Sequence, residues 1–156
     1  MIGIRSTTFV MGLCVAMAAG PAYAQDSPFV GRWHWNPAKS TLPPGEPTPK
    51  DVVSEISKAD AGAVSWSVTI VTPDDQQHVV TFEAEPSGAV KQISSDTTAS
   101  ALLADEALQA TFNGPAGQSD TQTCTVSADR KQMTCKGVVT DGKGHSANYV
   151  DVYDRM

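Results

Sequence analysis

The residues of this chain that could do chemistry are few and widely separated. His34, His78 and His145 could bind a metal or move a proton, but each falls in a different candidate strand or turn. A protein zinc site gathers three or four His, Cys or carboxylate ligands, and no two of these histidines share a ligand spacing. Neighbouring carboxylates occur at Asp74-Asp75, within the turn-like "TPDDQQ", and at Asp105-Glu106. Both pairs read as solvated residues rather than as a general acid with its base. The segment "DGKG", Asp141 to Gly144, lacks the further acidic positions of a calcium loop. There is no Gly-rich phosphate loop, no His-Glu-x-x-His and no Gly-x-Ser-x-Gly. The reading is a non-enzyme, with no catalytic residue, no metal and no cofactor.

The three cysteines divide into one and two. Cys14 lies in an N-terminal stretch with a single positive charge, Arg5, an apolar run from Phe9 to Ala19, a helix-breaking Pro21, and the small residues of Ala22-Tyr23-Ala24. That is the pattern of a secretory signal peptide over residues 1–24, cleaved before Gln25. The apolar run is too short for a membrane anchor, since spanning a bilayer takes ~20 residues. The expected destination is the periplasm or the exterior, with no membrane insertion after cleavage. Residues 25–156 are then one domain, and they keep Cys124 and Cys135. An even count in an exported chain favours a disulfide over a metal or redox site, which would more often use Cys-x-x-Cys. The midpoint of the pair falls between Asp129 and Arg130. A hairpin turning there sets the cysteines opposite each other, within reach of a bond.

The whole chain carries 11 basic and 17 acidic side chains, a net charge of −6. Without Arg5 the balance is 10 against 17, near −7, and the basic residues are scattered. No polybasic patch offers itself to nucleic acid or to anionic lipid.

The elements that must position any site are strands. "AVSWSVTIV" places Val64, Trp66, Val68 and Ile70 on one face, and "HVVTFEAE" does the same for Val80, Phe82 and Ala84. This period of two, with a turn between, is a hairpin signature. Strand candidates of the same kind are "FVGRWHW", "DVVSEIS", "AVKQIS", "TTASALL", "ALQATF", "TQTCTVS", "QMTCKGVVT" and "ANYVDVY". The exception is Ala99 to Ala110, "ASALLADEALQA", where Ala, Leu and Glu also permit a short helix. "PAKSTLPPGEPTP", Pro37 to Pro49, holds five prolines. Proline fixes φ and donates no backbone hydrogen, so about 37–50 is a rigid surface connector, or alternatively a lid over a cavity mouth. Short sequential antiparallel strands predict an all-β, up-and-down barrel of about 8–10 strands, which leaves no exposed edge. A β-sandwich is the alternative.

Gly31-Arg32-Trp33 near the start of the mature chain, followed by many short strands, resembles the lipocalins and the wider calycin superfamily. More narrowly, "GRWHWNPAKS", "SADRKQMT" at Ser127 to Thr134, "DGKG", and Tyr149 with Tyr153 resemble a group of small exported bacterial proteins with no settled activity. Those begin Gly-x-Trp-x-x-Asn-x-x-Lys-Ser. The resemblance implies a lipocalin-like barrel in which Gly31 and Trp33 are structural, the Trp packing across the closed end. It further implies an Arg stacked on that Trp, for which Arg130 and Arg155 are the late candidates. Trp35, two residues on, is expected in the core.

The functional expectation is an exported barrel that binds a small apolar or amphipathic molecule inside. Aromatic residues make up only 6% of the chain, so a barrel lined by Val, Ala, Ser and Leu need not fill its own centre. Trp66, Val68, Phe82 and Phe112 are the candidate lining. The alternative is a periplasmic structural or protein-interaction module without a ligand, working through its surface or the Pro-rich segment.

Overall fold

The computed structural model describes residues 27–104 and 106–156. The signal peptide expected over 1–24 lies outside the described residues, as does Asp105. All ten strand candidates become strands: β1 (Gly31–Trp35), β2 (Asp51–Ala59), β3 (Val64–Val71), β4 (Gln77–Ala84), β5 (Lys91–Gln92), β6 (Thr98–Ala104), β7 (Ala107–Asn113), β8 (Ser119–Val126), β9 (Gln132–Thr140) and β10 (Ser146–Arg155). They form one antiparallel sheet in the order β4-β3-β2-β1-β10-β9-β8-β7-β6-β5. Every pairing joins consecutive strands except β1 with β10, which curls the sheet into a nearly closed barrel. A sandwich is ruled out, because there is one sheet, not two. No hydrogen-bonded ladder joins β4 to β5. Beyond β4 the chain instead hooks onto β6, where Ser87 bridges Leu102 and the Gly88 N–H donates to the Ala101 carbonyl at 2.7 Å.

The inward face follows the alternation. Val64, Trp66, Phe82, Ala84, Leu108 and Ala110 belong to the buried core, with Val68, Ile70 and Phe112 packed against it. A bulge at Ser57 shifts the β2–β3 register between Ile56 and Lys58. It lets Ala59 still face the core opposite Val64.

The segment Ala99 to Ala110 is not helical. It is the β6–β7 hairpin, paired in register from Thr98 with Asn113 to Ala104 with Ala107. Helix propensity loses here because β5 and β8 supply ladder partners on either side, and tertiary pairing outweighs the preference of alanine. Ala99, Ala101 and Ala110 are almost fully buried, and their small side chains leave room for the aromatics of β3 and β4.

One end of the barrel is sealed. Trp33 is fully buried, and its indole N–H donates to the Phe29 carbonyl at 2.8 Å. The Arg155 guanidinium stacks 4.0 Å from the Trp33 ring. Its nitrogens donate to the carbonyls of Val30 (2.9 Å), Pro28 (2.6 Å) and Arg130 (2.5 Å). Arg155 is therefore the arginine that the resemblance implies, and Arg130 contributes only its carbonyl. Gly31 has φ +143°, and a Cβ there would collide with the Arg155 guanidinium. Both facts require glycine at this position.

Cys124 and Cys135 sit directly opposite each other in the β8–β9 ladder and are disulfide-bonded. The hairpin turns through Asp129 and Arg130, with Arg130 at φ +58°. Asp129 accepts hydrogen bonds from the Ser127 hydroxyl and the Lys131 N–H, at 2.6 and 3.1 Å.

Two outcomes follow for stability. Because the disulfide spans only 11 residues, Cys124→Ala/Cys135→Ala should lose no more than ~2–4 kcal/mol in urea denaturation and keep its β-type circular dichroism. Arg155→Lys keeps the charge but cannot reach three carbonyls with one planar fork. Its urea midpoint should fall by an amount equivalent to ~1–3 kcal/mol.

Candidate functional site

The opposite end of the barrel is open. A recess of about 610 Å³ lies there, bounded by Pro43, Pro44 and Glu46 of the connector, Phe112, Gly114 and Asp120 around the β7–β8 turn, and Val139, His145 and Ala147 around the β9–β10 turn. The connector reaches this position along β10. After Trp35 leaves its ladder, the Asn36 N–H donates to the Val152 carbonyl at 2.8 Å, and Thr41 and Val150 exchange backbone hydrogen bonds at 2.7 and 2.9 Å. The prolines follow where the chain quits the ladder and needs no further donors.

Below the recess the interior is polar. Tyr149, Asp151 and Tyr153 alternate along β10 on its inward face. The Tyr149 ring lies over Gly137, where any Cβ would collide with it, and its hydroxyl donates to Asp120 Oδ1 at 2.7 Å. The Trp35 indole N–H donates to Asp151 Oδ1 at 2.9 Å. Burial raises the carboxyl pKa of Asp120 above its ordinary value, and the Tyr149 hydrogen bond opposes that rise only in part. Burial also raises Asp151; the Trp35 N–H opposes it, while the charges of Asp120 and Glu46 push it further up. Both tyrosines titrate well above the ordinary phenol range, because each is buried and faces these carboxylates.

The four residues expected to line a ligand site divide between two places. Phe112 borders the open-end recess. Trp66 and Phe82 border a second recess of about 420 Å³, beside the unpaired β4–β5 boundary with Lys91, Gln92 and Ile93. Val68 borders neither. The aromatic rings are continuous between the two: Trp66 and Phe82 have centroids 5.6 Å apart, and Phe82 meets Phe112 edge-on at 5.0 Å. The Trp66 indole is anchored by donating to the buried Ser54 hydroxyl. The histidines do not converge. His34 contacts Asp51 at 2.7 Å, His145 contacts Asp141 at 2.9 Å, and His78 is exposed on β4. Among the described residues no three His, Cys, Asp or Glu side chains form a metal site.

Sequence reasoning missed the interior residues Asp120, Tyr149, Asp151 and Tyr153. The run "ANYVDVY" alternates Tyr and Asp with Val, and hydrophobicity alone makes the valines the inward set. In the structure Val152 is buried on the outer side instead, where its backbone meets Asn36 and Ser40.

No protein family model matches the chain, and no curated protein matches it. Among solved structures, the wild-type fluorescent protein UnaG superposes with a TM-score of 0.56 at 17% identity, over 82% of this chain and 97% of that one. Zebrafish ileal bile acid-binding protein in complex with cholic acid superposes at 0.54 with 14% identity, over 83% of this chain and 100% of that one. A point mutant of the REP1-NXSQ fatty acid transporter superposes at 0.50 with 12% identity, over 81% and 97%. The chain shares with them an antiparallel sheet curled into a barrel. At these identities the likeness extends to the fold alone.

The raised carboxyls have a stability consequence. A group whose folded pKa exceeds its unfolded value, here 3.8, binds protons more tightly in the folded state, so stability falls as pH rises through that window. Asp120→Asn/Asp151→Asn, which keeps acceptors for Tyr149 and Trp35, should therefore have a higher Tm than wild type at pH 7. The difference should vanish below the ordinary carboxylate range. Thermal melts across pH check this.

Proposed function

We propose that this is an exported, lipocalin-like barrel that binds a small apolar or amphipathic molecule through its open end and performs no covalent chemistry. The observation that carries the reading is the recess of about 610 Å³. It falls within the ~300–1,000 Å³ of small-molecule sites and has Asp120 on its wall beside the apolar residues. Phe112, Val139, Ala147 and the two prolines supply apolar wall. The rings of Trp66 and Phe82, with Val68 beside them, back Phe112 from within. Support also comes from the neighbours in fold, two of which are named for binding a bile acid and transporting a fatty acid. Export rests on the N-terminal leader pattern and on the disulfide, which persists in oxidising compartments.

The test is native mass spectrometry of protein made through its own export route, together with titration by Nile red, an uncharged dye. A mass of Gln25 to Met156 less two hydrogens, carrying a small adduct or one saturably bound Nile red, is the expected result. Ala147→Trp places an indole in the recess and should weaken Nile red binding by about tenfold or more, about 1.4 kcal/mol, with circular dichroism unchanged. Protein that carries no adduct and takes up no dye overturns the reading.

A further inference from the structure

The sheet ends at β4, and its outer edge is open to hydrogen bonding. The Thr72 N–H donates to the Gln76 carbonyl at 2.9 Å, and in an antiparallel ladder bonded pairs alternate with unbonded ones. The β3–β4 ladder runs on from that pair without a register shift, so its bonded pairs are Ile70–His78, Val68–Val80 and Trp66–Phe82. The N–H and C=O groups of Gln77, Val79, Thr81 and Glu83 therefore point away from β3. No described strand pairs with that edge of β4. Long edges of this kind are ordinarily blunted by proline, lysine or a bulge, and β4 carries none of them.

The barrel wall is uncovered at the same place. Val80 faces Val68 and Lys91 faces the buried Ala99, and facing residues share one side of a sheet. Both thus hold inward positions, where a continuous wall would cover them. Instead Val80 is 46% exposed and Lys91 is exposed. Between them lies the recess of about 420 Å³, with Thr81, Phe82 and Glu83 of β4 on one side and Lys91, Gln92 and Ile93 on the other. Past Ala84 the chain turns back onto β6 at Ser87, which ends the slot.

We propose that this slot, apart from the open-end recess, docks an extended peptide segment of a partner protein, added as a strand along β4. Its main chain pairs with the free groups of Gln77, Val79, Thr81 and Glu83, as in other cases of strand addition. Every second side chain turns inward against Val80, Phe82 and Ile93, and these are apolar. The others stand on the outer side, where Glu55 and Glu83 border the same recess, and a basic residue there supplies the complementary charge. A second copy of the chain fits this edge less well. Its own β3 would come alongside its β4, onto the place that β5 holds.

The experiment is fluorescence anisotropy of fluorescein-labelled Val-Lys-Val-Lys-Val titrated with the full mature protein. Saturable one-to-one binding is expected. The same peptide N-methylated throughout keeps its side chains but has no N–H to donate, and should bind about tenfold or more weaker. Val79→Pro removes one N–H from the free edge and leaves the β3 ladder intact. It should weaken binding by about tenfold or more, whereas Val79→Ala, which keeps that N–H, should bind as wild type does. Val-Glu-Val-Glu-Val should bind about threefold or more weaker than the lysine peptide, and Glu83→Gln should narrow that difference. Absence of saturable binding, or equal binding of the N-methylated peptide, overturns strand addition, and that comparison needs no variant to fold. A dimer that forms with rising concentration and is lost in Val79→Pro, without peptide uptake, overturns it in favour of a second copy. Nile red uptake at the open end is a separate readout, so either reading can fail alone.

Discussion

The Arg155 guanidinium, stacked on the Trp33 ring and donating to three carbonyls from two places in the chain, joins the last strand to the segment before the first strand and to the β8–β9 turn. A sheet built from consecutive hairpins can remain open. Here it curls because β10 pairs with β1, and the arginine locks that seam where the two strands meet. The part-exposed guanidinium presents a planar fork that suits this place, with three of its N–H groups on carbonyls and its face on an indole. Gly31 is the backbone condition for it, since a side chain would occupy the place of the guanidinium.

Sealing one end leaves function to the other. The closed half is filled by Trp33, Phe29, Ile56, Leu108 and Met133, all essentially inaccessible to water. Toward the open end the inward positions change character, to Asp151, Tyr149, Asp120 and Gly137. Gly137 matters because its missing side chain lets the Tyr149 ring lie flat against β9 and reach Asp120. The same change places carboxylates in the barrel interior, where Tyr149 donates to Asp120 and Trp35 to Asp151. Raised carboxyl pKa values are what such a change costs in stability.

Much of the fold was legible in the sequence. The alternations in "AVSWSVTIV" and "HVVTFEAE" name the inward residues of β3 and β4, because a half-buried strand has a period of two and little else satisfies it. The cysteine spacing determined the register of β8 and β9 once their midpoint fell on a turn. Less was legible of the site. Phe112, expected to face inward, borders the recess. Trp66 and Phe82 proved to be core residues beside a different opening, since face alone does not say at which height along a barrel a residue ends up.

What the sequence determined by itself was the approximate strand number, the inward faces of β3 and β4 and the disulfide, all set by local periodicity and spacing. Tertiary structure alone decided the rest. Ala99 to Ala110 became a hairpin because neighbouring strands supplied ladder partners that a local propensity cannot foresee. Tyr149, Asp151 and Tyr153 turned inward because the β9–β10 register, paired from Ser146 with Thr140 to Asp154 with Gln132, ties their face to that of the buried Cys135 and Met133. A one-residue shift of that register would have reversed every side chain, and hydrophobicity along β10 by itself favours the valine face.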